Sequence, residues 1–180
     1  MTGQGEPPVS RTGLMAISAC VLIFSAATAL AEPPETDRST PSGLKVPRYV
    51  TLKFDDVNAR AGPGDDHKLL WVYHARGLPV QVVAENLEWR RVCDPEGGLA
   101  WVHKRTTDGR RAVIHLQPGA VTLYSHPKAD ARVAAYLTPR ALAGLVKCND
   151  KGWCKVQAGG ADGWVAPGQV WGTDKKPQCG

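Results

Sequence analysis

One pattern occurs twice in this chain and constrains its fold more than any other feature. Its first copy, Trp-Arg-Arg-Val-Cys-Asp-Pro-Glu-Gly-Gly-Leu-Ala-Trp-Val, runs from Trp89 to Val102. Its second, Trp-Cys-Lys-Val-Gln-Ala-Gly-Gly-Ala-Asp-Gly-Trp-Val, runs from Trp153 to Val165. The opening tryptophans are 64 residues apart and the closing ones 63. Each copy reads as a strand led by Trp, a Gly-rich turn and a strand closing on Trp-Val, which is a β-hairpin signature. A period this long exceeds that of solenoid repeats and predicts two small domains in tandem.

The rest of the chain agrees. Short apolar runs are broken by 19 Gly and 14 Pro, and no long stretch has helical periodicity. An all-β fold follows, with strands at Tyr49–Phe54, Leu69–Tyr73, Leu78–Ala84, Trp89–Cys93 and Leu99–Lys104. The second copy repeats them at Arg111–His115, Ala120–Tyr124, Leu142–Lys147, Trp153–Gln157 and Gly163–Val165. A domain of roughly 60 residues buries only about 60% of its unfolded surface. The two copies are therefore expected to pack together or to be braced covalently.

The ends of the chain are different in kind. Leu14 to Leu30 is an apolar run preceded by Arg11 and ending in Ala29-Leu30-Ala31. This predicts a signal peptide over residues 1–31, cleaved after Ala31, with no stable membrane insertion afterwards. Residues 32–47 carry four prolines and almost no apolar side chain, the composition of a flexible linker. Residues 48–104 form the first predicted domain, 105–172 the second, and 173–180 a polar tail. Export would remove Cys20 and leave Cys93, Cys148, Cys154 and Cys179 in an oxidising compartment. Cys148 and Cys154 lie across a predicted hairpin turn, where opposed residues meet the geometry of a disulfide. Elimination would pair Cys93 with Cys179, but the polar tail gives no reason for order, and the sequence leaves that pairing open.

A family resemblance rests on several spaced motifs. Val57-Asn58-Ala59-Arg60-Ala61-Gly62-Pro63-Gly64, then Gly77-Leu78-Pro79-Val80, then Trp89-Arg90-Arg91-Val92 and Ala100-Trp101-Val102 together resemble a bacterial SH3-type domain. The second copy keeps Val121 and Pro127 of the first motif and the whole of the closing hairpin, but loses the Asn, Arg and Gly. The resemblance implies two tandem SH3-like antiparallel β-barrels in an exported protein. It also implies binding to the bacterial wall rather than catalysis. The polyproline groove of eukaryotic relatives does not transfer, because their acidic loop and aromatic motif are absent.

The chemistry-bearing residues point the same way. No His-Glu-x-x-His, nucleophile elbow or phosphate loop occurs, and the five histidines lack metal-ligand spacing, so neither metal nor cofactor is expected. A Cys/His wall hydrolase would need Cys93 with His103 or His115. Cys93, however, enters an acidic turn that disfavours a thiolate. The formal net charge of +5 has no RNP or zinc-finger context, and nucleic acid is not an expected partner. What remains is a binding surface. Trp89, Trp153 and Tyr73 supply aromatic faces, and Arg90 and Arg91 supply cations for carboxylates. Trp101 and Trp164 are expected in the core. The sequence thus predicts a non-catalytic, periplasmic or secreted module for peptidoglycan or an envelope protein. The alternative is an adaptor that binds a partner through an exposed strand edge.

Overall fold

A computed structural model describes residues 40–179 of the chain. The predicted signal peptide and the first part of the predicted linker lie outside the described residues. The described residues lie within one compact unit. Its regular structure is all β, apart from a single 3-10 turn at Lys104–Thr106 among the described residues.

The first domain holds β1 (Arg48–Leu52), β2 (Val57–Arg60), β3 (Leu69–Tyr73), β4 (Pro79–Glu85), β5 (Trp89–Cys93), β6 (Leu99–His103) and β7 (Thr107–Asp108). They form one antiparallel sheet in the order β3-β2-β6-β5-β4-β1-β7. The second holds β8 (Ala112–Ile114), β9 (Val121–Tyr124), β10 (Val133–Leu137), β11 (Leu142–Cys148), β12 (Cys154–Ala158) and β13 (Ala161–Val165), in the order β10-β9-β13-β12-β11-β8. The first domain therefore extends to Asp108, four residues past Lys104. Thr107 and Asp108 pair with Leu52 and Thr51, and a two-residue strand is too short for a periodicity signal.

Each sheet has its own core. Val50, Leu52, Val57, Ala59, Val80, Val82, Val92, Ala100 and Val102 are buried together in the first. Val113, Leu123, Leu137, Ala143, Val156 and Val165 are their counterparts in the second. These are the alternate positions of each strand. Ala100 and Gly163 occupy the same inward site in the closing hairpins. A Cβ at Gly163 would lie 2.8 Å from Leu123 Cβ and 3.2 Å from the Tyr124 carbonyl, so the second core is closed by a glycine.

Two segments that read as tether and tail are ordered. Thr40–Pro47 lies on the first domain. Ser42 and Arg48 both hydrogen-bond the carboxylate of Glu85, and Arg90 Nε reaches it at 3.3 Å. Only 1% of the Glu85 side chain is exposed. At the other end, Trp171 pairs with Ile114 through two backbone hydrogen bonds of 3.0 and 2.9 Å, and its ring meets Tyr49 edge-on at 5.0 Å. Gly172 then turns the chain with φ of 117°, where a Cβ would sit 2.6 Å from the Ala112 carbonyl. The chain continues onto the first domain as a strap. Gln81, fully buried, donates through Nε2 to the Lys176 carbonyl at 2.8 Å and accepts from Gln178 N–H at 2.9 Å. Cys179 closes a disulfide with Cys93.

The register explains the strap. Tyr49, Gln81, Cys93 and Leu99 are cross-strand partners in one row over β1, β4, β5 and β6. They point to the face opposite the core, and the residues after Val170 cover them. A second disulfide joins Cys148 to Cys154, which are paired in register at the β11–β12 turn with Cα atoms 4.0 Å apart.

Two outcomes follow. In the chain-entropy account, a crosslink stabilises more when it closes a longer loop. Cys93–Cys179 spans 86 residues and Cys148–Cys154 spans 6. Cys179→Ser should lower the unfolding free energy by about 4–5 kcal/mol and Cys148→Ser by about 2–3 kcal/mol, read from urea midpoints of the oxidised proteins. Equal losses would contradict this order.

The second outcome concerns acid. Burial pushes the Glu85 carboxyl up, but hydrogen bonds from Ser42, Arg48 and Thr40 and the Arg48 charge outweigh it and hold the pKa at about 2. The folded value lies below the ordinary 4.5, so this stabilisation is complete above about pH 4.5 and is lost as pH falls toward 2. Glu85→Gln should flatten the stability profile over that window. A variant with the wild-type acid slope would contradict the assignment.

Candidate functional site

The sequence-predicted side chains divide between the two sheets. Trp89 is buried, its ring 5.2 Å from that of His103. Arg90 is half-buried between Glu85 and Thr107 Oγ1. Arg91 is exposed on the outer face of β5, beside Trp101 in register. Tyr73 is buried at the end of β3, where its hydroxyl donates to Asp94 Oδ2 at 3.0 Å. Burial, and then the charge of Asp94, push its phenol above the usual range. Trp153 is half-buried and packs edge-on against Tyr124 at 5.7 Å.

Trp101 and Trp164 are not core residues. Ala100 and Val102 point inward, as do Gly163 and Val165, so the tryptophan between each pair points outward. Both are half-buried. In the second sheet, cross-strand pairing aligns Lys147, Lys155, Trp164, Tyr124 and Val133 in one row on this outer face. Lys147 Nζ lies 5.8 Å from the centre of the Trp164 ring, within cation–π range. Lys155 Nζ pairs with Asp162 at 2.7 Å. With Trp153 against Tyr124, the result is an aromatic platform of three rings bordered by two lysines.

The matching row of the first sheet reads Ala84, Arg91, Trp101, Arg60 and Leu69. Arg60 stands where the second sheet has Tyr124. Its guanidinium is engaged by the His67 carbonyl at 2.9 Å and Asp65 at 3.3 Å, bracing the loop that contains Gly62-Pro63-Gly64. Only the second sheet carries the three-ring platform. Strand alternation could have identified Trp164. Tyr124 and Lys147 become significant only through pairing between strands distant in sequence.

A cleft of about 580 Å³ opens between the domains. Trp71, Tyr73 and Leu78 line it from the first domain, and Ile114, Leu116 and Arg140 from the second. Asp94 also faces it, but its oxygens already accept from Tyr73, Glu96 N–H and Gly98 N–H. Among the described residues, no group of three His, Cys, Asp or Glu could hold a metal ion.

The chain has no match among curated proteins. Solved structures similar to it include two from one organism. NlpC2 from Trichomonas vaginalis is 12% identical with a TM-score of 0.32, over 69% of this chain and 47% of that one. NlpC1 from the same organism is 12% identical with a TM-score of 0.34, over 76% of this chain and 49% of that one. The chain thus spans about half the length of either. The bacterial SH3 domain family matches twice, over residues 53–109 and 117–172, so each sheet corresponds to one copy of that domain. The protein belongs to the bacterial SH3 domain family as a tandem pair.

Proposed function

We propose that this chain is a non-catalytic, extracytoplasmic binding module that engages peptidoglycan or a wall-associated protein through the outer face of its second domain. The observation that carries the reading is the platform of Tyr124, Trp153 and Trp164 with Lys147 beside it. Aromatic faces stack on the apolar faces of sugar rings, and a neighbouring ammonium attracts carboxylates. Arg91, next to the half-buried Trp101, is a weaker version of the same arrangement on the first domain. Trp89, with its ring packed on His103, contributes to the fold rather than to a ligand.

Further support comes from redox and covalent state. Two disulfides in one small chain are in keeping with an oxidising compartment. Among the described residues, no helix is long and apolar enough to cross a membrane. The hydrolase alternative loses its nucleophile, because Cys93 is buried and bonded to Cys179. His115, its second candidate base, is also buried, with its ring nitrogens 3.0 and 2.9 Å from the carbonyls of Gln169 and Gly119.

An adaptor role has its own support. β3 and β10 are edge strands, with Leu69 and Leu70 on one and Val133 and Tyr136 on the other all exposed. Unpaired strand edges with apolar side chains are templates for strand addition.

Co-sedimentation with purified sacculi separates the two roles. The wall reading expects the oxidised protein to sediment, less so as salt rises. Trp164→Ala should weaken binding by about tenfold, the scale of an aromatic anchor. An adaptor would stay in the supernatant and cross-link to one envelope protein, a product lost in Val133→Lys. Sedimentation unchanged by Trp164→Ala would remove the platform from the account.

A further inference from the structure

The two repeated hairpins tie the same point in different ways. In the first domain the register shifts between Val82 and Ala84, and beyond that bulge Glu85 faces Arg90. In the second it shifts between Leu145 and Lys147, and beyond that bulge Cys148 faces Cys154. Arg90 and Cys154 each follow the leading tryptophan of the repeat, so the two pairs are equivalent. A bulge disrupts the ladder, and the end of the hairpin beyond it needs a tie of its own. The first domain uses an ion pair, with Arg90 Nε 3.3 Å from a Glu85 carboxylate that is 1% exposed. The second uses a disulfide.

That disulfide sits within the aromatic platform. Cys148 follows Lys147, whose ammonium lies over the Trp164 ring, and Cys154 follows Trp153, which packs on Tyr124. The copy with the redox-insensitive ion pair lacks the platform, and the copy with the platform has the tie that reduction can open.

Access separates the two disulfides of the chain. Cys148 is exposed on β11. Cys93 is fully buried, and its partner Cys179 is half-buried at the end of the strap. Exchange begins when a thiolate reaches a disulfide sulfur, so Cys148 is the open point of attack. Breaking the bond leaves the turn itself in place. Asn149 N–H donates to the Trp153 carbonyl at 2.9 Å, and its side-chain oxygen accepts from the N–H groups of Lys151 and Trp153, both at 3.0 Å.

We propose that Cys148–Cys154 is an exchangeable latch on the aromatic platform, opened by a dithiol. The inference rests on the platform as the binding surface. One thiolate of the dithiol attacks Cys148 Sγ, the sulfur–sulfur bond breaks, and Cys154 Sγ leaves with the electron pair and takes up a proton. The second thiol of the reductant then displaces Cys148 Sγ, which is protonated in turn. The chain gains two thiols and the reductant leaves as its internal disulfide, so two electrons have passed. The closed latch holds Lys147 and Trp153 in place beyond the bulge. The open latch leaves them to be ordered at the moment of binding, which weakens it.

The test exposes the oxidised chain to dithiothreitol for graded times, quenches it with iodoacetamide and maps the labelled peptides. Cys148 and Cys154 should be alkylated at least about tenfold faster than Cys93 and Cys179, since the rate follows access. In NMR spectra of the chain reduced at this one bond, the Lys147 and Trp153 amides should shift while Gln81, under the strap, does not. Its binding to sacculi should be about threefold to tenfold weaker, the scale of ordering one or two side chains, and reoxidation should restore it. The double variant Cys148→Ala/Cys154→Ala should bind like the reduced chain and ignore dithiothreitol.

Opening of Cys93–Cys179 first, or of both bonds together, would overturn the proposal. So would unmoved Lys147 and Trp153 amides, or a reduced chain that binds sacculi as tightly as the oxidised one. Loss of the second sheet on reduction would also overturn it, making the bond a structural staple. An oxidised chain that ignores sacculi would sink the platform reading, and the latch would then be judged by the order of opening and the amide shifts alone.

Discussion

Gln81 is a polar side chain on the outer face of a β-sheet, and it is fully buried. A primary amide placed there without partners would destabilise the fold by roughly 1–3 kcal/mol. The residues after Val170 remove that penalty by giving both ends of the amide a backbone partner. The same crossing seats Trp171 on Tyr49 and bonds Cys179 to Cys93. One row of side chains in the first domain therefore depends on the last residues of the second. Domains of this size bury too little surface to be robust alone, and here the shortfall is met by a strap rather than by a larger core.

That dependence divides the labour between the copies. The first sheet has part of its outer face under the strap, while Thr40–Pro47 closes one end of its core face around the carboxylate of Glu85. The second sheet leaves its outer face open, and there the Trp at the end of the hairpin motif gains Tyr124, Trp153 and Lys147 as neighbours. Duplication supplied two equivalent frames, and small changes separated their roles. Arg60 in one copy braces a loop, while Tyr124 in the other joins an aromatic surface. Gly77 in one copy and Arg140 in the other hold the same positive-φ turn position, each donating its backbone N–H across the sheet, to Leu52 and to His115.

Much of this was legible beforehand, and for a local reason. Strand alternation and the repeated hairpin are carried by residues within a few positions of each other, so the sheets, the family and the Cys148–Cys154 bridge can be read along the chain. The alternation also held the correct placement of Trp101 and Trp164, which sit between inward-facing small residues. Their hydrophobicity argued for the core, but the pleat aims them at solvent. The strap could not be read. Lys176-Pro177-Gln178-Cys179 is polar and resembles any frayed terminus, and its order comes from Gln81, nearly a hundred residues away. The only trace was a polar residue at the centre of Pro79-Val80-Gln81-Val82-Val83, a run otherwise suited to a strand buried on both faces. The platform and the cleft were hidden for the same reason, because each joins residues from strands far apart in sequence.

The central claim is that the strap makes the tandem pair a single cooperative body. Scanning calorimetry of oxidised Asp37–Gly180 tests it most directly. The account predicts one transition whose calorimetric enthalpy equals its van't Hoff enthalpy. Two resolved transitions, or a calorimetric enthalpy near twice the van't Hoff value, would mean that the domains melt independently and would contradict it.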